Sequence, residues 1–154
     1  MNVKFANSFL SSTFNVFPQF GITDIKKNGV SIKESKIESF GVMVILGIVG
    51  DFKGNVIYST TSEAAMSIAS AMMMGAPVPA LDDIAQSAIA ELTNMLTATA
   101  ATCLFTEGIS VNISTPALMQ GDFIANINSN KTICIEMLVN NMPFEISIYA
   151  EINK

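Results

Sequence analysis

Histidine, arginine and tryptophan are absent from this chain, and cysteine occurs only twice. Without histidine there is no Ser-His-Asp triad, no histidine-ligated zinc and no imidazole general base. Without arginine there is no arginine finger and no bidentate clamp for phosphate. Charge is sparse and one-sided: eight lysines stand against thirteen carboxylates, giving a net charge of −5. That balance argues against nucleic acid as a partner, because phosphate binding needs a basic patch. Long hydrophobic runs are lacking too. The longest uninterrupted apolar stretch, Phe40 to Gly50, meets Asp51 at once; it is too short to span a bilayer and suits a buried strand. Met1 to Phe17 holds a lysine and several polar residues, so it does not read as a signal peptide. A soluble, cytoplasmic protein without membrane insertion is expected. Cys103 and Cys134 lie far apart in no metal-like spacing. They are expected as reduced thiols buried like small hydrophobes, and no metal site is expected.

What is present is apolar bulk: half of the 154 residues are hydrophobic. A chain of this length forms one domain with its own core, taken here as residues 1–154 with halves of about 1–75 and 80–154. Phe5, Phe9, Leu10, Thr13, Val16 and Phe17 recur at helical spacing until Pro18. Thr23 to Glu34 alternates toward strand, with a bend or bulge at Asn28-Gly29. Phe40 to Val49 and Asn55 to Ser59 form a hairpin, whose connection Asp51 to Gly54 is expected to use a positive φ at Gly54. Thr60, Thr61 or Ser62 caps a helix ending at Gly75, and Asp82 or Asp83 opens a long helix to about Phe105, ended by Gly108. Four strands follow: Ile109 to Ile113, Asp122 to Ser129, Lys131 to Val139 and Phe144 to Glu151. Turns fall at Asn128-Ser129-Asn130 and at Asn140 to Pro143. The pattern predicts an α/β (α+β) fold, with two long helices on a mostly antiparallel sheet. Each half reads as a helix followed by strands, a weak internal repeat.

The long helix carries the only pattern that suggests chemistry. Ile84, Ala88, Leu92, Met95, Leu96, Thr99 and Cys103 fall on one side at 100° per residue, the expected core face. Ser87, Glu91, Asn94 and Ala98 share another side at spacings of four, three and four. From Ser87 to Thr106, Glu91 is the only charged residue and Asn94 the only amide. A Glu and an Asn three apart on a helix are common, and spacing alone assigns them no function.

The segment Ser87-x-x-x-Glu91-x-x-Asn94-Met95 resembles the active-site motif of the CheC/CheX/FliY family of chemotaxis phosphatases. The stretch Gly47 to Ser59 resembles that family's glycine-punctuated hairpin. Met72-Met73-Met74-Gly75 before a Pro-containing linker resembles its next element, and Met1 to Leu10 resembles the start of CheX-type members. The resemblance runs over essentially the whole length.

That resemblance implies an α/β sandwich with a pseudo-twofold repeat. It implies hydrolysis of the aspartyl phosphate of the response regulator CheY. Asn94 would position the attacking water, as Gln does in small GTPases. Glu91 would dock on a regulator lysine, and Ser87 and Ala98 would touch the partner. The family often has Gly where Ala98 stands; Ala is also small, so close approach of a partner is expected to survive. No cofactor of its own is implied, the Mg2+ being held by the regulator, and a homodimer is implied. In the first half Asn15 is the counterpart of Asn94, and Ser12 stands where Glu would be, which favours the CheX type. The alternative is a non-catalytic binding module for a response regulator, a receptor-modifying enzyme or a flagellar switch component.

Overall fold

A computed structural model describes residues 3–33, 36–126 and 132–153. Its elements follow the order read from the sequence. Helix α1 (Val3–Val16) passes into a 3-10 turn, Phe17–Phe20, with Pro18 in its first positions. Strands β1 (Ile25–Lys33), β2 (Lys36–Gly50) and β3 (Phe52–Thr60) come next, then helices α2 (Ser62–Met72) and α3 (Asp83–Thr106). Strands β4 (Val111–Ile113), β5 (Ala117–Asn126), β6 (Thr132–Val139) and β7 (Met142–Ile152) complete the chain. The expected turn at Asn128-Ser129-Asn130 lies outside the described residues.

The strands form one seven-stranded sheet in the order β1-β6-β7-β3-β2-β4, with β5 also pairing β2. Every pair is antiparallel. The order is unchanged when β1, β2 and β3 are exchanged for β5, β6 and β7. The bend expected at Asn28-Gly29 is a bulge, a register shift between Lys27 and Gly29 against β6. Asn140 and Asn141 both take positive φ, 51° and 63°, and make the two-residue turn that pairs Val139 with Met142, as hairpin twist requires.

The β2–β3 connection departs from expectation. The chain reverses at Gly50-Asp51, where Gly50 has φ +133°. Asp51 holds the corner by accepting from the Ser110 N–H at 2.8 Å and donating its own N–H to the Ser110 carbonyl. Gly54 has no positive φ and lies inside β3. Its lack of a side chain answers a different need, the close approach of β7.

Helices cover one face of the sheet. Phe5 and Phe9 of α1, Ile68 of α2 and Leu92, Leu96 and Leu104 of α3 are buried against Leu46, Val56, Ile135, Ile146 and Ile148. The hydropathy and 24-residue length of α3 match those of a membrane-spanning helix; its apolar stripe is spent on this core. Burying a leucine-sized side chain contributes about 1.5–3 kcal/mol. The core therefore draws on residues from both halves.

The opposite face is partly folded over. Lys33 and Lys36 are three residues apart, at most about 11 Å. Yet β1 and β2 are four strand steps apart in the sheet, about 19 Å at ordinary spacing. The sheet therefore curls so that the start of β2 reaches back toward β1. Its Ile37 packs with Met43 and Ile57, alongside Ile45, Phe123 and Ala125, in a second, smaller cluster.

One polar pair crosses the main core. The Tyr58 hydroxyl lies 2.9 Å from Thr97 Oγ1, and Thr97 gives its proton to the Thr93 carbonyl, so Tyr58 is the donor. Burial pushes the Tyr58 phenol above its ordinary pKa. Tyr58→Phe leaves no orphaned donor and is expected to cost about 0.5–1.5 kcal/mol, whereas Thr97→Val strands the phenol and should cost about 1–3 kcal/mol. Urea denaturation of the two variants in parallel reads the difference; equal losses would refute the assigned direction.

Candidate active site

Helix α3 carries six Ala and three Leu, good helix formers. It starts where the Asp82 side chain accepts the Ala85 N–H at 2.9 Å, a favoured N-cap that also places a carboxylate at the positive end of the helix dipole. It ends at Thr106, with Gly108 at φ +83° just beyond.

The buried stripe is rotated from the expected one. Leu92 and Leu96 are buried as expected, but Ile84 is 67% exposed, and Ala88, Met95, Thr99 and Cys103 are only half-buried. The stripe runs through Ala85, Ile89, Thr93, Thr97, Ala100 and Leu104. Threonine reads as polar, yet Thr93 bonds the Ala90 carbonyl and Thr97 the Thr93 carbonyl. Thr93 is thereby satisfied inside the helix, and Thr97 also accepts from Tyr58 across the core, so both hydroxyls are paired where they are buried.

The opposite side falls where the sequence puts it. Ser87, Glu91 and Ala98 are exposed and Asn94 is half-buried on one face. Among the described residues, neither the Glu91 carboxylate nor the Asn94 amide has an ion pair or a side-chain hydrogen bond. The pair is therefore available to an outside group. The small residues Ala90 and Ala98 lie around the pair. A depression of about 390 Å³ beside the first turns of α3 is lined by Asp83, Gln86, Ser87, Ala90, Pro116 and Leu118. Small-molecule sites are concave and mostly apolar; neither Glu91 nor Asn94 lines this depression.

Helix α1 runs antiparallel beside α3. Lys4 pairs with Glu107 at 3.8 Å, and the Ser8 hydroxyl meets Cys103 Sγ at 3.2 Å. The same step carried along both helices brings Asn15 to about the level of Leu96. Asn15 is exposed, but its amide oxygen is taken by Gln19 at 3.3 Å. Ser12 is buried, its hydroxyl on the Phe9 carbonyl. Position 12 thus faces the core rather than a partner, and α1 presents no second Glu-Asn pair.

A different group of titratable side chains lies on the sheet face away from the helices. Cys134, Glu136 and Glu145 bring one ligand atom each within 4.8 Å of one another. Sequence spacing did not reveal this group, because its third member comes from another strand. The signal was available: a two-residue turn at Asn140-Asn141 sets Glu145 opposite Glu136. Burial pushes the Cys134 thiol above its ordinary pKa and the Glu145 carboxylate pushes the same way, while a Ser147 hydrogen bond opposes both. The Glu145 carboxyl is raised as well, by burial first, against the pull of Lys33 at 3.9 Å.

Comparison with known proteins places the chain. The family model described as chemotaxis phosphatase CheX matches residues 42–138, a span that includes Ser87, Glu91, Asn94 and Ala98. The CheY-P phosphatase CheX of Thermotoga maritima is 34% identical over 123 residues, 79% of this chain and 78% of that protein. The crystal structure of a chemotaxis protein CheX from Desulfovibrio desulfuricans superposes with a TM-score of 0.86 at 22% identity, over 96% of this chain and 99% of that one. A CheX from Borrelia burgdorferi, solved as a CheX-CheY-BeF3-Mg2+ complex, superposes at 0.71 with 21% identity, over 96% of each chain.

Proposed function

The chain belongs to the CheX family of chemotaxis phosphatases, and from that premise we infer that it hydrolyses the aspartyl phosphate of the response regulator CheY through the exposed face of α3. The observation that carries this reading is the unengaged Glu91-Asn94 pair on one solvent-facing side of α3, in a chain 34% identical to a CheY-P phosphatase.

The chemistry asks little of the protein's side chains, which suits a chain without histidine or arginine. An acyl phosphate already carries a good leaving group. The regulator supplies the Mg2+, as the composition of the Borrelia burgdorferi complex suggests for that pair. What remains is to hold a water in line with phosphorus. The Asn94 amide can accept from that water through its carbonyl oxygen and donate to it or to a phosphoryl oxygen through its NH2. A hundredfold acceleration requires only about 2.7 kcal/mol, within the reach of positioning. Glu91, one turn earlier on the same face, accepts from a lysine ammonium of the regulator. That fixes the docking register and draws the lysine away from the phosphoryl group. Ser87 and Ala98 extend the contact at either end, their small size permitting close approach.

The test is the decay of phosphorylated CheY with and without this protein; no acceleration with any cognate regulator would leave only a binding module. Glu91→Gln keeps the shape and removes the charge. It should weaken docking by about tenfold, equivalent to 1.4 kcal/mol, with a rise in KM larger than the fall in kcat. Titration of decay rate against regulator concentration measures both.

The same reading makes residues 1–154 a single CheX-like domain whose halves, about 1–75 and 80–154, are related as a repeat. The exchange symmetry of the strand order supports that relation. Under the same reading the protein works in the cytoplasm with its substrate. A homodimer fits the exposed apolar residues on edge strands, Ile32 of β1 at 63% and Ile124 of β5 at 56%; sedimentation velocity reads that state.

A further inference from the structure

The sheet face opposite the helices holds donor atoms that the phosphatase reading does not use. Cys134 and Glu136 alternate on β6, and Glu145 faces Glu136 across the β6–β7 ladder. Ser59 is the register partner of Glu145 across β3–β7, so its hydroxyl lies on the same face beside that carboxylate. Ser59 is 1% exposed and its hydroxyl has no hydrogen-bond partner. Thr132, two residues before Cys134 on the same face, is fully buried and equally unpartnered. The Ser31 hydroxyl is a third, on the register partner of Cys134 across β1–β6. Buried polar atoms in folded proteins are nearly always paired. Three that are not, around one thiol and two carboxylates, point to something that organises the group.

We propose that Cys134, Glu136 and Glu145 bind one divalent transition cation of the zinc class, with the Ser59 hydroxyl or a water completing a four-ligand shell. The ligand types select the class. Mg2+ and Ca2+ take all-oxygen shells, whereas a mixed thiolate–carboxylate set suits zinc and its tetrahedral substitutes. Tetrahedral bonds of about 2.0–2.3 Å place ligand atoms about 3.3–3.8 Å apart. The group, now within 4.8 Å, closes by about an ångström through rotation of two glutamate side chains that are only half-buried. Lys33, 36% exposed and 3.9 Å from Glu145, gives up its place and swings to solvent from edge strand β1. The Cys134 thiol releases its proton to solvent as its sulfur lone pair binds the cation. The bound ion would clip the β6–β7 hairpin, and Ser59 would extend the clip to β3. The site lies on the far side of the sheet from Glu91 and Asn94, so its role is to hold the sheet rather than to take part in hydrolysis.

Cobalt(II) is the probe, because a thiolate ligand gives it a charge-transfer band and a tetrahedral site gives it intense visible bands. The full chain, stripped with a chelator, should bind one equivalent of Co2+ with both signatures, and Zn2+ should displace it. Cys134→Ser should lose the charge-transfer band, Glu145→Gln should weaken binding at least tenfold, and Cys103→Ser should change neither. Zn2+ should raise the thermal midpoint of the wild type and of Cys103→Ser by several degrees, and leave Cys134→Ser unmoved. If Cys134→Ser does not fold, the Glu136→Gln/Glu145→Gln pair takes its place and must abolish binding. Absence of the band from the wild type overturns the proposal. So does a band that survives Cys134→Ser, or one that survives the paired glutamine variant.

Discussion

Asn94→Ala is expected to remove essentially all acceleration of CheY-P decay while leaving the fold and the docking intact. The amide is half-buried and has no side-chain partner among the described residues, so its loss orphans no other group. Alanine is the better helix former by several tenths of a kcal/mol, and the thermal midpoint should stay level or rise slightly. An interaction made only in the transition state lowers kcat with KM nearly unchanged. Loss of a hundredfold acceleration corresponds to about 2.7 kcal/mol. Asn94→Asp sharpens the test: the shape is kept, but the donor is replaced by a second acceptor carrying negative charge beside the phosphoryl oxygens. It should be as inactive as alanine. Stopped-flow decay of phosphorylated CheY under single-turnover conditions, with affinity measured separately, reads both quantities. An Asn94→Ala variant with wild-type rate would eliminate the water-positioning role.

The largest structural effect is expected at Gly54. An alanine Cβ there would overlap the Tyr149 carbonyl oxygen and approach Ala150 Cα at 2.7 Å. Both are backbone atoms of β7, and β3–β7 is the central ladder of the sheet. Neither strand can yield without opening hydrogen bonds on both sides. Gly54→Ala should therefore cost about 4 kcal/mol or more, a large share of the stability of an ordinary domain. Gly75→Ala is the control. Its φ of +87° strains any L-residue by about 1–2 kcal/mol, but nothing lies within 4 Å of the added carbon. Urea midpoints of the two variants should differ accordingly, with Gly54→Ala the weaker by at least about 2 kcal/mol. Comparable midpoints would mean that β3 and β7 do not approach as described.

The contrast between these glycines shows where sequence reading stops. A Gly after Asp51-Phe52-Lys53 reads as a turn residue, and local chemistry gives no reason to prefer Gly50. The choice was made by Ser110, which bonds Asp51 at the corner, and by β7, which leaves no room beside Gly54. Both partners are more than fifty residues away. The rotation of α3 has the same origin in part: the helical spacing puts Ile84 and Thr99 on the core side, while Tyr58 across the core makes Thr97 a buried position.

What the sequence determined by itself were the order of helices and strands, the short runs Thr60 to Ser62 and Asp82-Asp83 within which the caps Thr61 and Asp82 fall, an irregularity at Asn28-Gly29, and the face shared by Ser87, Glu91, Asn94 and Ala98. These depend on periodicity and on contacts within a few residues, which the chain carries locally. Tertiary structure alone decided the curl that returns β2 toward β1, the burial of Ser12, and the placing of Ser59 and Ser31 beside the Cys134, Glu136 and Glu145 group of the β6–β7 hairpin. Those depend on which strand lies beside which, and strand order in an antiparallel sheet is settled by the packing of whole faces rather than by any short run of residues.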